Sequence, residues 1–211
     1  MTVISISPKD SVSSPRPVQP TESAPRITPE PVESMRPDWL ATLARIPGDG
    51  LKGDGFPRNV LGTIMHNPDT FGPFLEYWVT CKERMSLSVR EQEIVILRMA
   101  VLHASDYVWK HHVPVGREFG IDETEFTAIR AGDVEGFASS REQALFALVD
   151  ELVEHRTIRR AVWDRHATAL ETVAIVDLIA LVSQYVLFAL MNNAFQVAIE
   201  PTLAEVPSLR D

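Results

Sequence analysis

Ser88-Val89-Arg90-Glu91-Gln92-Glu93-Ile94-Val95-Ile96-Leu97-Arg98 opens a helix that runs on through Met99, Ala100, Val101 and Leu102. Ser88 and Glu91 form a capping box, the hydroxyl accepting from the Glu91 N–H and the carboxylate accepting from the Ser88 N–H. Glu91 is thereby committed to the cap; Glu93 is not. The residues after Glu93 are apolar around most of the helix, which marks it as buried among other helices. Carrying a carboxylate into that interior is costly unless it finds a partner.

Twelve residues after Glu93 comes Ser105-Asp106-Tyr107-Val108-Trp109-Lys110-His111-His112. On a helix Tyr107 and His111 share one face, while Ser105, Val108, Trp109 and His112 share another. His112 is the expected partner of Glu93, with Ser105 at the rim of its pocket and Trp109 as an apolar wall. Pro114 lacks an N–H and is expected to kink this helix. An imidazole held by a carboxylate in an apolar pocket is a general base, the carboxylate fixing its tautomer and orientation. Tyr107 and Ser105 are candidates to hydrogen-bond a substrate carboxylate or carbonyl. The alternative is a buried structural ion pair with Tyr107 and Trp109 as core aromatics, since structural pairs also perturb pKa values.

Outward from this centre the chain reads as helix almost throughout, over about 38–44, 59–66, 67–84, 122–130, 140–155, 160–170 and 171–197. Apolar residues recur at helical spacing and no stretch alternates as a strand would. Residues 1–36 are rich in Pro, Ser and Thr and carry no aromatic residue. They are expected to form an extended or disordered arm before a helical domain at 37–211. The arm has no basic start followed by an apolar core, so it does not read as a secretory signal.

The 211 residues carry a net charge of −9 with no basic run, which argues against nucleic acid and anionic membrane as partners. The most apolar segment, 172–195, is interrupted by Asp177, Ser183, Gln184, Asn192 and Asn193, so no membrane span is expected. Cys81 is the single cysteine, which leaves no thiol pair and reads as a small hydrophobe. His111 and His112 diverge as helix neighbours, and His66, His103, His155 and His166 lack chelating spacing, so no metal site is expected. No phosphate-cradling glycine loop and no GxSxG elbow is present.

Over residues 56–200 the chain resembles the carboxymuconolactone decarboxylase / AhpD-like family. The resemblance rests on Arg58-Asn59-Val60-Leu61, His66-Asn67-Pro68, the 88–98 stretch and Tyr107-Val108-Trp109-Lys110-His111-His112-Val113-Pro114. In the alkylhydroperoxidase branch of that family a Glu is followed, after eleven residues, by Cys-x-x-Cys and then, after three more, by His. Glu93 and His112 fall in register, but the cysteine positions hold Ser105 and Val108. Thiol peroxidase chemistry needs a nucleophilic and a resolving thiol, and this motif has neither. The resemblance implies an AhpD-like helical bundle, assembled as a homo-oligomer (trimer or hexamer) with sites near subunit interfaces.

These readings converge on a cytoplasmic, cofactor-free acid–base enzyme for a small oxygenated acid or lactone, acting as decarboxylase, isomerase or related lyase. Glu93, His112 and Tyr107 are its expected catalytic residues. Ser105, Trp109, His111 and Tyr185 are expected to contact substrate or shape the pocket. The alternative is a helical binding or assembly protein that kept the packing and lost the chemistry.

Overall fold

In the computed structural model, which describes residues 24–46 and 56–210, nine α-helices and no strand occur among the described residues. They are α1 (Pro37–Leu43), α2 (Arg58–Ile64), α3 (Pro68–Arg84), α4 (Val89–Leu102), α5 (Asp106–Glu118), α6 (Glu123–Ala131), α7 (Ser140–His155), α8 (Arg160–His166) and α9 (Thr172–Phe195). The described residues are all-α, the helical bundle expected from the sequence.

Helix α4 is the axle. Every residue from Glu91 to Ala100 is buried, and α5, α6, α7 and α9 all pack against it. The predicted cap is present: the Ser88 N–H donates to Glu91 Oε2 at 2.7 Å and the Glu91 N–H to Ser88 Oγ at 3.3 Å. Helices α4 and α5 form an antiparallel pair joined by a tight turn. Ala104 adopts a left-handed φ of 50°, and the Ser105 N–H reaches back to the Ala100 carbonyl at 2.8 Å. This hairpin swings the 107–112 face of α5 back across Glu93. The α5 helix continues through Pro114 to Glu118.

Helix α9 supplies the opposite wall through Leu178, Leu181, Tyr185, Phe188 and Asn192, a buried stripe at 3-to-4-residue spacing. The absence of a span-length apolar segment does not hold here. By length and composition α9 is long and apolar enough to cross a membrane, although half of its most apolar window is buried inside the bundle. The polar breaks at Asp177, Ser183, Gln184, Asn192 and Asn193 bring a single charge to a helix of 24 residues, too little to lower the average. Val173, Val176, Ile179 and Leu190 remain exposed on its outer side.

Residues 24–36, the described part of the arm, run extended over α2 with a 3-10 turn at Val32–Ser34. The Glu30 N–H donates to the Gly62 carbonyl at 3.1 Å, and the His66 ring donates to the Thr28 carbonyl at 2.9 Å. A Cβ at Gly62 would stand 2.3 Å from the Glu30 carbonyl oxygen, so the arm lies this close only because position 62 is glycine. Residues 1–23 of the expected arm lie outside the described residues. At the other end, the segment after α9 returns across α5, where the Trp109 indole donates to the Pro207 carbonyl at 3.1 Å. Asp106 there accepts from Ser208 Oγ and the Leu209 N–H, both at 2.9 Å.

Candidate active site

Glu93 is 1% exposed, and both of its oxygens are taken. His112 Nδ1 lies 2.6 Å from Oε2, and Lys82 Nζ from α3 lies 3.4 Å from Oε1. A carboxylate only accepts, so Nδ1 carries the ring proton and donates it. The other ring nitrogen, Nε2, then has a lone pair, and the Tyr185 hydroxyl of α9 donates to it at 3.2 Å. The four groups form a chain from ammonium to carboxylate to imidazole to phenol, supplied by α3, α4, α5 and α9.

The electrostatics follow from that order. Burial works to raise the Glu93 pKa, but His112 and Lys82 outweigh it and hold the carboxyl below its usual range. Burial pushes the His112 imidazole below its ordinary value, and the pull of Glu93 does not fully compensate. With Lys82 balancing the Glu93 charge, His112 remains neutral and basic at Nε2. Burial and the Glu93 charge push the Tyr185 phenol well up, so it stays protonated and acts as a donor.

His112 and Tyr185 border a cavity of about 40 Å³ whose walls include Trp78, Val108 and Phe188. That volume takes a few water-sized atoms, the reacting end of a molecule and not the whole of it. Asn192 also lines it; its side-chain oxygen and nitrogen are both buried and lack a protein partner.

A second carboxylate–imidazole pair borders the same cavity. Glu200 Oε2 lies 2.7 Å from His111 Nε2, and its Oε1 accepts from the Tyr107 hydroxyl at 2.8 Å and the Asn59 N–H at 2.9 Å. Glu200 sits just before a 3-10 turn, Pro201–Leu203, in the segment that follows α9. Burial opposes its ionisation, but the His111 hydrogen bond and charge, the Asn59 N–H and Tyr107 hold its pKa below the usual range.

The structure thus brings Glu93, His112, Tyr185, His111 and the Tyr107 ring together. The Tyr107 hydroxyl donates to Glu200 and accepts from the Val60 N–H. Trp109 does not wall the pocket. It is one helical step, about 100°, round from Val108. That turn packs it edge-on against Phe126 and under the Arg130 guanidinium. Ser105 is fully buried with its hydroxyl unpartnered, and is not among the residues lining the cavity. Lys82, Glu200 and Asn192 were missed. Asn192 alone gave a readable signal, a polar residue on the buried stripe of an apolar helix. Cys81 lies beside Tyr77 on α3 and does not line the cavity. Among the described residues no group of three His, Cys, Asp or Glu side chains converges as metal ligands would.

Residues 68–151, from the start of α3 into α7, match the model of the carboxymuconolactone decarboxylase family. No curated protein matches the sequence. Three solved structures share the fold. A peroxidase-related protein of uncharacterized activity from Silicibacter sp. TM1040 is 12% identical, covers 88% of this chain and 98% of its own, and has a TM-score of 0.67. The debrominase Bmp8 is 14% identical, covers 83% and 92%, and has a TM-score of 0.66. A protein of unknown function from Agrobacterium tumefaciens, associated with AhpD, is 14% identical, covers 64% and 92%, and has a TM-score of 0.56. The likeness to the carboxymuconolactone decarboxylase family is thus carried by residues 68–151, a stretch that lacks the cysteine pair, and the solved structures show a shared fold.

Proposed function

We propose that the protein is a cofactor-free acid–base enzyme acting on a small oxygenated acid or lactone, as decarboxylase, isomerase or related lyase. The observation that carries this reading is the placement of His112. Its Nδ1 is pinned by Glu93, Nε2 is left to the Tyr185 hydroxyl, and both rings line a cavity, the arrangement a general base needs. Tyr185 holds the unprotonated nitrogen with a bond that a substrate hydrogen can replace. In the reaction Nε2 takes a proton from carbon next to a carbonyl, and the negative charge developing on the substrate oxygen needs a donor. Tyr185 is placed to give it once released from His112. The Tyr107 hydroxyl, held by Glu200, supports the wall.

The exposed apolar residues of α9, with Tyr77 on α3, support self-association as the homo-oligomer that the family resemblance implies. A free acidic assembly of this kind fits a cytoplasmic enzyme. Sedimentation equilibrium of the full chain tests this: a trimer or hexamer is expected, and a monomer at micromolar concentration contradicts it.

The activity test is hydrogen–deuterium exchange at the carbon beside the carbonyl, followed by NMR in D₂O across small keto acids and lactones. Wild-type protein should catalyse exchange on at least one, and His112→Ala and Glu93→Gln should not. Exchange that survives both changes refutes the assignment. A non-catalytic binding protein predicts no exchange by any form.

A further inference from the structure

The base reading leaves unexplained the second buried pair on the same cavity. Glu93 is balanced by Lys82, but Glu200 has no lysine or arginine within 4 Å among the described residues. Its other partners, Tyr107 and the Asn59 N–H, are neutral. A buried carboxylate of this kind is stabilised by a cation, and among the described residues the ionisable basic group within 4 Å is the His111 ring at 2.7 Å. The two adjacent imidazoles are therefore backed unequally. His112 leans on a carboxylate already neutralised, and His111 on one that is not.

Resting on the base reading above, we infer that His111, held by Glu200, is the proton donor that complements His112, so the cavity moves a proton between two carbons of one substrate. The substrate class is a small β,γ-unsaturated carbonyl compound, acid or lactone, and the reaction is its isomerisation to the α,β-unsaturated form. His112 Nε2 takes the α proton; that C–H bond breaks and its electron pair flows into the carbonyl, giving a dienolate. The dienolate then forms a new C–H bond at the γ carbon with the proton carried by His111. No oxidant or co-reactant is required. The two rings end with their protonation reversed and reset through water, which reaches His112, 18% exposed at its side chain. Asn192 is the positioning residue for the substrate oxygen, since it lines the cavity and its buried amide has a donor without a protein partner. Decarboxylation needs one proton delivered to carbon after loss of CO₂ and gives no role to a base and an acid side by side.

The probe is α-angelica lactone, a five-membered β,γ-unsaturated lactone, incubated in D₂O with wild-type protein, Glu200→Gln and His111→Asn. Wild type should exchange the α hydrogens and yield the α,β-unsaturated isomer with deuterium at the γ carbon. Glu200→Gln and His111→Asn should lower isomer formation at least tenfold more than they lower α exchange. Isomerisation at the wild-type rate in both variants would overturn the donor role and leave the base intact. Loss of α exchange together with isomerisation would overturn the division of labour. No exchange by wild type would overturn the base reading with it. Because His111→Asn risks the local fold, ¹⁵N NMR of the histidine rings supplies an independent readout. The His111 ring nitrogen signals should move between wild type and Glu200→Gln as the 2.7 Å contact is lost, and signals unchanged by the substitution would refute the assignment.

Discussion

Two of the charged residues that helix α4 buries, Glu93 and Arg98, lie five positions apart and are treated differently. Arg98, 8% exposed, donates from Nε and Nη2 to Asp150 of α7 at 2.6 and 2.9 Å. Its Nη1 donates to the Ile129 carbonyl at 2.8 Å, and the group lies 5.0 Å over the Phe146 ring. All three nitrogens have protein acceptors, and Gly132, at φ 76°, leaves the space that Arg98 Nη2 occupies. That site ties α4 to α6 and α7 and does nothing more. Glu93 is also fully partnered, but one of its partners is a histidine that lines a cavity and keeps a second nitrogen for Tyr185. Burying a charge is therefore not what separates a site from a strut. The separation lies in whether the partner has a valence left over.

Four experiments break or sharpen that comparison. The largest effect is expected at His112→Ala, which should reduce turnover by ~10²–10⁴-fold, read as steady-state rate, while far-UV circular dichroism stays that of the folded chain. Arg98→Met should do the reverse. Losing charge-assisted hydrogen bonds costs about 2–3 kcal/mol in denaturant unfolding, with the rate per folded molecule unchanged.

Acid should separate the two sites as well. His112 is held below the ordinary histidine value of about 6.5, chiefly by burial, so its base form persists through neutrality. Activity should be flat from pH 8 to about 6.5 and decline below. Stability follows the same sign. Protonation favours the unfolded chain, so the contribution is present above the unfolded value and falls as pH drops below it. Glu93, held below the usual carboxylate range, adds a further loss at lower pH. The smallest effect belongs to Arg160→Ala. The Arg160–Asp164 pair is exposed on both sides, and its loss should change stability by less than about 0.5 kcal/mol.

Much of the architecture was legible before any coordinates. The Ser88–Glu91 box, Pro68 in a first turn and the buried periodicity of 94–100 set helix starts and faces that the structure repeats within a residue or two. The Glu93–His112 contact was legible because a carboxylate on an apolar helix has few affordable fates. Arg98 met the same criterion and was passed over, its partners lying 31 and 52 residues away. Lys82 and Glu200 were invisible because only tertiary packing brings α3 to Glu93 on α4, and the segment after α9 to His111 on α5. Trp109 was put on the wrong face because helical neighbours at i+3 and i+4 diverge enough to enter different grooves. The hydropathy of α9 was misjudged because polar breaks with a single charge among them hardly lower it.

The central claim is that His112 is a neutral base in the resting protein, and not half of an ion pair like Arg98 with Asp150. ¹⁵N NMR of the His112 ring across pH measures this directly. The account predicts one protonated nitrogen, Nδ1, at pH 7, with Nε2 taking a proton only below the ordinary histidine range. A His112 ring carrying protons on both nitrogens at pH 7 would contradict it and make the pair a strut.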